Sequence, residues 1–320
     1  MQQEMQYIYE IYRAGSFSQA AKNLYLTQPA LSIAVRKVEK ALGYALFDRG
    51  CQPLKLTEAG EIYYRHLLIV KQSEEAMRQE LADLSGEVRG DLRLAGSQYF
   101  NAHILPPLLR TFQQAYPRVH IHLQEDNSRS LEQILLRGEA DIICHSGPYR
   151  EDLCSAQTIC QDELFLAAAQ DFPLPPELRA VALMGEDIAN GCRENATPVD
   201  LARFAPFPFL LLTGTNHLRQ RTLELCHQAG FEPHVLLEVK QLETIWHLAA
   251  AGLGLAFVTD LMIKEAPKAP MLYFKLGALE AVRTFSAITR RKAYISHAMK
   301  AFLELFEASG MIVGECPAPD

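Results

Sequence analysis

The chain of 320 residues has no apolar run near the roughly 20 residues that a membrane-spanning helix needs. It has no CxxC pair, although seven cysteines are scattered along it: Cys51, Cys144, Cys154, Cys160, Cys192, Cys226 and Cys316. An odd, dispersed set in a chain this long does not read as a disulfide framework, and reduced thiols in the cytosol fit it better. The start, MQQEMQYIYEIYRAGS, lacks the basic-then-apolar pattern of an export signal, so a cytoplasmic location is expected. There is no GxSxG, no HExxH, no phosphate-binding loop and no acid and base at useful spacing. An enzyme reading therefore has no residues to carry it. Low-complexity tracts and internal repeats are missing as well.

Hydrophobic residues make up 49% of the sequence and charged residues 22%, the balance of an ordinary globular protein, and the length points to about two to three domains. The net charge of −7 argues against a protein coated by nucleic acid. That charge is uneven. Residues 1–66 hold 8 Lys and Arg against 6 Asp and Glu, net +2, which leaves −9 for the remainder. A slightly basic head on an acidic body can dock on phosphate with the head alone.

The first 57 residues carry three short helical patterns. MQYIYEIYRAG places Met5, Ile8, Tyr9 and Tyr12 three and four apart and stops at Gly15. SFSQAAKNL follows, with Ser16 or Ser18 able to cap it. YLTQPALSIAVRKVEKALG then opens on Thr27, which can accept a first-turn N–H, and Pro29, whose missing N–H costs nothing there. Leu31, Val35, Val38 and Leu42 form its expected buried stripe, and Gly43 ends it. YALFDRGCQPLKLT (44–57) reads as a hairpin or wing. From Thr57 a long helical run follows, with Ile62, Leu67, Ile69, Val70, Met77, Leu81 and Leu84 at helical spacing. A helix this long needs a partner for its apolar stripe, and a second copy of the chain is the expected one.

From Gly90 the pattern changes to alternating strands and helices, through GDLRLAGS, NAHILPPLLRTFQQAYP, RVHIHLQEDNS, SLEQILLRGEA and DIICHSG. A second set runs from DELFLAAA to LGLAFV, and the chain closes with RTFSAIT and SHAMKAFLELFEASG. Such alternation implies parallel sheets with helices on their faces. Two α/β halves with two crossings between them imply a bilobed body with a cleft.

Two short helices joined by a tight turn, the second with polar residues at i, i+4 and i+8, describe a helix-turn-helix whose second helix enters the major groove by its N-terminal end. Gln28, Ser32 and Arg36 share the face opposite the apolar stripe. The wording is more specific than the pattern. SFSQAA, TQPALS, VEKALG, LFDRG and LTEAG occur in the order and spacing of the LysR-type transcriptional regulators, and the chain resembles that family over nearly its whole length. GEADI (138–142), DELFLAAA (162–169) and AAGLGLAFV (250–258) resemble the family's effector-binding half. The resemblance implies an α/β protein with an all-α winged helix-turn-helix head at 1–57, a linker and dimerisation helix at 58–88, and an effector domain at 90–320. That domain is expected to hold two α/β subdomains like those of periplasmic binding proteins, I at about 90–160 and 268–320 and II at about 161–267. It also implies a homotetramer, a dimer of dimers, on an inverted-repeat promoter site, with RNA polymerase as a further partner. No metal, no cofactor and no membrane contact are expected, only a small-molecule co-inducer. By face and by resemblance, Thr27, Gln28, Pro29, Ala30, Ser32 and Arg36 are expected at the groove. Gln can pair with adenine, Arg with guanine or phosphate, and Pro29 and Ala30 can meet a thymine methyl. Gln19, Lys22, Arg49, Lys55 and Thr57 are expected at phosphates, which position the protein without reading sequence. Where the family often has Arg after the recognition-helix serine, this chain has Ile33.

In an open parallel sheet, ligands bind beyond the carboxyl ends of the strands. Those ends carry Ser97 and Gln98, Asn127 and Ser128, His145 and Ser146, and Thr213, Thr215 and Asn216. Hydroxyls and N–H groups at helix starts favour a small anion. Ser97, Ser146 and Thr213 stand where resembling regulators of sulfur metabolism place hydroxyls around one. His145 can supply a charge that changes near neutral pH, and a polar wall is the equal reading. His120 and His122 share a strand face but lack further metal ligands. Two other classes compete with a ligand-responsive regulator: a two-lobed enzyme and a solute-binding protein. Within the family, a thiol-based redox sensor is the alternative, and it would need two exposed, low-pKa thiols in reach of each other.

Overall fold

The structure is a computed structural model that describes residues 3–51, 53–191, 196–214 and 216–308. Internal contacts divide the chain into two units, Met1–Glu87 and Val88–Asp320.

In the first unit, α1 (Gln3–Ala14), α2 (Phe17–Asn23) and α3 (Gln28–Leu42) precede a short antiparallel pair, β1 (Phe47–Asp48) and β2 (Lys55–Leu56), and then α4 (Glu58–Asp83). The capping residues act as their types require. Ser16 Oγ accepts the Gln19 N–H at 3.0 Å, and Thr27 Oγ1 accepts the Ala30 N–H at 3.4 Å. Ile8, Ile11, Ala20, Leu31, Val35, Leu46, Phe47 and Leu67 pack into one core. Fully burying a residue such as Ile8 or Leu31 contributes about 1.5–3 kcal/mol. Gly60 lets α4 seat against the wing, because a Cβ there would lie 2.0 Å from the Leu46 carbonyl oxygen. Two expectations change here. Leu42 is exposed rather than buried, since the core of α3 ends one turn earlier at Val38. The linker helix stops at Asp83 instead of 88, and Gly86 follows with φ +69°. Along α4, Leu67 is buried, whereas Ile62, Ile69, Met77, Leu81 and, at its end, Leu84 are exposed.

The second unit opens with β3 (Gly90–Gly96), a π-helical turn at Phe100–Ile104, α5 (Leu105–Ala115), β4 (Val119–Glu125), α6 (Ser128–Leu136) and β5 (Ile142–His145). The 16-residue strand β6 (Cys154–Ala169) follows. Next come α7 (Pro176–Arg179), α8 (Gly185–Ala189), β7 (Pro208–Leu212), α9 (His217–Gln228), β8 (His234–Val239), α10 (Leu242–Ala250), β9 (Leu255–Thr259) and α11 (Asp260–Glu265). The last elements are β10 (Met271–Lys275), β11 (Val282–Arg290) and α12 (His297–Ala308). The strand order is β4-β3-β5-β11-β6-β9-β7-β8, with β10 also on β6.

Strand β6 joins two lobes. Its first part, Cys154–Glu163, pairs antiparallel with β11, and its second part pairs antiparallel with β9 and β10. β3, β4 and β5 are mutually parallel, as are β7, β8 and β9. The sheet is therefore mixed rather than parallel, because both crossings between lobes are made by extended chain running against its neighbours. The return crossing also falls later than expected. Met271–Lys275 lies beside Phe165–Ala169 in the second lobe, so the chain leaves that lobe between Lys275 and Val282, not at 267. The 174–199 segment packs against this strand through a bridge from Leu183 to Tyr273 and another from Val199 to Leu276, while residues 192–195 lie outside the described residues. The main core runs through both lobes, and a smaller cluster of Leu131, Ile134, Leu135, Ile143 and Ile288 covers the other face of the first.

Candidate DNA-binding surface and effector cavity

Helix α3 presents its N-terminal end to solvent. Thr27, Gln28, Pro29, Ala30, Ile33 and Arg36 are exposed and Ser32 is half-buried, while Leu31 and Val35 anchor the opposite face. Lys22, Arg36 and Lys55 are exposed and have no hydrogen-bond or ion-pair partner among the described residues. Arg49 is less free than its sequence context suggests. It pairs with Glu39 at 3.2 Å and its guanidinium sits 4.9 Å from the Phe17 ring centroid. Gln19 donates to Asn23 at 3.0 Å. Thr57 is committed, because Oγ1 donates to the Ala45 carbonyl at 2.6 Å and accepts the Gly60 N–H at 3.0 Å. It serves as the cap of α4 and has no donor left for a phosphate. Tyr25, which sequence reasoning passed over, is 96% exposed in the turn between α2 and α3 with φ 54°, a left-handed conformation strained for a residue with a Cβ.

In the second unit a cavity of about 230 Å³ lies between the lobes. Six of the nine expected effector residues line it: Ser97, Gln98, Asn127, Ser128, Ser146 and Asn216. Two do not. Thr213 is half-buried beside the cavity, its N–H held by the Val239 carbonyl at 2.8 Å. His145 turns inward and is 1% exposed. Thr215 lies outside the described residues. Several of the lining residues also cap helices: Ser97 Oγ accepts the Phe100 N–H at 3.4 Å, and Asn216 Oδ1 accepts the Leu218 N–H at 2.8 Å.

His145 does not bring a titrating charge to the cavity. Burial, with the neighbouring His217 adding to it, lowers its pKa to about 4, so it is neutral at neutral pH. Its Nδ1 accepts the Gly147 N–H at 2.8 Å, which leaves the proton on a buried Nε2 without a hydrogen-bond partner. Gly147 permits the lobes to meet here, since a Cβ would lie 2.8 Å from His217 Cδ2.

The cavity also uses residues that the sequence did not single out. Arg283 and Phe285 come from β11, Tyr99 from the end of β3, Glu125 and Asp126 from the end of β4, His217 from α9, and Lys240 from the end of β8. Arg283 is buried on Asp162, with Nε 2.7 Å from Oδ1 and a second contact from Nη2 to Oδ2, and its guanidinium lies 4.7 Å from the Tyr99 ring centroid. Burial opposes the guanidinium charge, and the Asp162 carboxylate more than restores it. Burial, reinforced by the charge of Asp162, raises the Tyr99 hydroxyl far above its usual range, so it stays a donor to Thr259 at 2.8 Å.

Residues 85–310 match the sequence profile of the LysR substrate binding domain, and residues 2–61 match that of the bacterial regulatory helix-turn-helix protein, lysR family. The chain belongs to the LysR family of transcriptional regulators. It is 29% identical over 307 residues to the uncharacterized HTH-type transcriptional regulator YcgK of Bacillus subtilis (strain 168), covering 95% of this chain and 93% of that one. A full-length OxyR variant from Pseudomonas aeruginosa superposes with a TM-score of 0.68 at 21% identity, covering 98% of each chain. Full-length CbnR complexed with its target DNA gives 0.61 at 19% identity, covering 96% of this chain and 99% of that one. These two likenesses show the fold.

Within this LysR-family fold other polar side chains, beside the cavity and on the edge strand, find local partners. Arg219 is held by the Leu212 carbonyl at 2.6 Å and by Glu238 at 2.7 Å, so it is not available to a ligand. His122 pairs with Asp91 at 2.9 Å on the exposed edge strand. Cys144, Cys154, Cys160 and Cys226 are buried. Burial pushes the thiol pKa of Cys226 up to about 12 and raises those of Cys144 and Cys154. The Cys51 thiol donates to Asp48, which raises its pKa as well. Cys51, Cys144, Cys154 and Cys226 are therefore not poised thiolates. Cys192 and Cys316 lie outside the described residues. No helix among the described residues is long and apolar enough to cross a membrane.

Proposed function

We propose that this LysR-family regulator reads an inverted-repeat promoter site through α3 and changes its grip when a small metabolite bearing an anionic group binds between the lobes. Gln28, Ser32 and Arg36 read base edges, with Thr27, Pro29 and Ala30 seating the helix end in the groove, and Lys22, Lys55, Arg49 and Gln19 meet phosphates. Two copies pair through the exposed apolar row of α4, and two pairs form the tetramer, which works in the cytoplasm and contacts RNA polymerase. The observation that carries the effector reading is the convergence of five strand ends, those of β3, β4, β5, β7 and β8, and the start of α9 on one 230 Å³ cavity. That space suits a small metabolite and falls below the 300 Å³ at which drug-sized sites begin. The ligand acts by binding one arrangement of the lobes better than the other.

A mobility-shift series on the DNA flanking the gene that encodes this chain tests this reading. A specific complex is expected, weakened by Gln28→Ala roughly five- to hundredfold, in line with about 1–3 kcal/mol for a bidentate base contact. The absence of any specific shift, with and without metabolite extract, overturns it.

A further inference from the structure

We infer that the ligand of the interlobe cavity is an α-amino acid or a close amino-carboxylate, read as a zwitterion by opposite charges on the two lobes. This rests on the proposal that the cavity is the effector site. The charged side chains of the cavity wall sort themselves by what they already hold. Arg283 is spent on Asp162, inside the wall. Three remain: Lys240 on the second lobe, and Glu125 and Asp126 on the first. Glu125 and Lys240 are exposed and have no hydrogen-bond or ion-pair partner among the described residues. Asp126 uses Oδ1 to accept the Asn127 N–H at 2.7 Å and its Nδ2 at 3.0 Å, and this fixes the carboxylate at the end of β4. Two residues before Lys240, Glu238 is already paired with Arg219 at 2.7 Å.

A simple oxyanion would gain Lys240, the Ser97 and Ser146 hydroxyls and the start of α9, but it would sit against two carboxylates. A ligand that also carries an ammonium group turns that repulsion into charge-assisted hydrogen bonds. Its carboxylate faces Lys240 and Asn216, and its ammonium faces Glu125 and Asp126. Because the two ends of the ligand contact different lobes, only the intact zwitterion draws both walls together. The uncharged walls, Tyr99, Leu212, Leu218, Leu242 and Phe285, leave the ligand's side chain an apolar surround, and 230 Å³ limits it to amino-acid size.

Titration calorimetry on the full chain tests this, with the twenty common L-amino acids, their 2-oxo acids and their decarboxylated amines as probes. At least one amino acid binds, and its 2-oxo acid and amine each bind roughly ten- to hundredfold more weakly, the worth of one hydrogen bond to a charged group. In Glu125→Gln/Asp126→Asn the preference over the 2-oxo acid disappears, and in Lys240→Ala the preference over the amine does. Failure of every amino acid to bind overturns the inference. So does a 2-oxo acid that binds as tightly as its amino acid, although carboxylate binding in the cavity then still stands. Amino-acid binding that survives Ser146→Trp, in a variant that still shifts specific DNA, places the ligand elsewhere and overturns both the inference and the reading beneath it.

Discussion

His145 shows what one buried side chain contributes to this domain. In the folded chain its pKa is lowered to about 4, against 6.5 for an ordinary histidine. Above pH 6.5 the imidazole is neutral in both folded and unfolded chains, and its full contribution is present. As pH falls below 6.5 the unfolded chain takes up the proton first, so stability is lost progressively down to about pH 4, by roughly 3 kcal/mol in all. Asn in its place keeps an acceptor for the Gly147 N–H and removes the titration. The single tryptophan, Trp246 on α10, lies in the effector-binding unit, so its fluorescence reports the unfolding of that unit. Urea unfolding followed at Trp246 is expected to weaken less between pH 7 and pH 4.5 in His145→Asn than in the wild type. Equal slopes would show that His145 is hydrated and free to charge in the folded state.

At the level of elements, the proposed pairing of two copies rests on α4. Ile62, Ile69, Met77, Leu81 and Leu84 are exposed at spacings of seven, eight, four and three, which keeps them on one side of a helix of 26 residues. Pairing with a second copy buries each of them twice. Leu81→Asp removes two leucines from such a dimer and is expected to raise its dissociation constant at least a hundredfold, measured by sedimentation equilibrium. An unchanged constant would move the dimer contact off this helix. Periodicity made α1 to α4 legible in the sequence because each alternates a core face with a wet one, and Ser16, Thr27 and Thr57 mark the starts of α2, α3 and α4. It made β10 illegible, because Met271, Leu272, Tyr273 and Phe274 are all buried and leave no alternation to read. The same limit applied to the cavity. The ends of β3, β4, β5 and β7 followed from the rule for open sheets, while Lys240 and Arg283 come from an edge strand and a crossing strand whose place in the sheet only the assembled fold decides. Thr213 follows the rule in sequence and misses the cavity in space.

At the scale of the whole effector domain, the question is what holds the lobes in one arrangement before a ligand arrives. Glu243, on α10 of the second lobe, accepts from two groups of the first. Its Oε2 takes the Gln98 amide at 3.0 Å and its Oε1 meets His103 Nε2 at 3.0 Å. The His103 Nδ1 lies 2.8 Å from Glu265 on α11, so one imidazole on the π turn ties two helices of the opposite lobe. Tyr99 adds its hydrogen bond to Thr259. Gln98 also lines the cavity, so the latch adjoins the proposed ligand site. Removing Glu243 therefore shifts the balance toward separated lobes, and a ligand that needs them together must supply the difference from its own affinity. These contacts are partly exposed, so the shift is modest. Glu243→Ala is expected to raise the ligand concentration for a half-maximal footprint change by roughly three- to tenfold, while the change at saturation and DNA binding without ligand stay as in the wild type. A midpoint that does not move would mean that the lobes are held by their shared core and strands alone. A lower plateau would mean instead that Glu243 takes part in the arrangement the ligand selects.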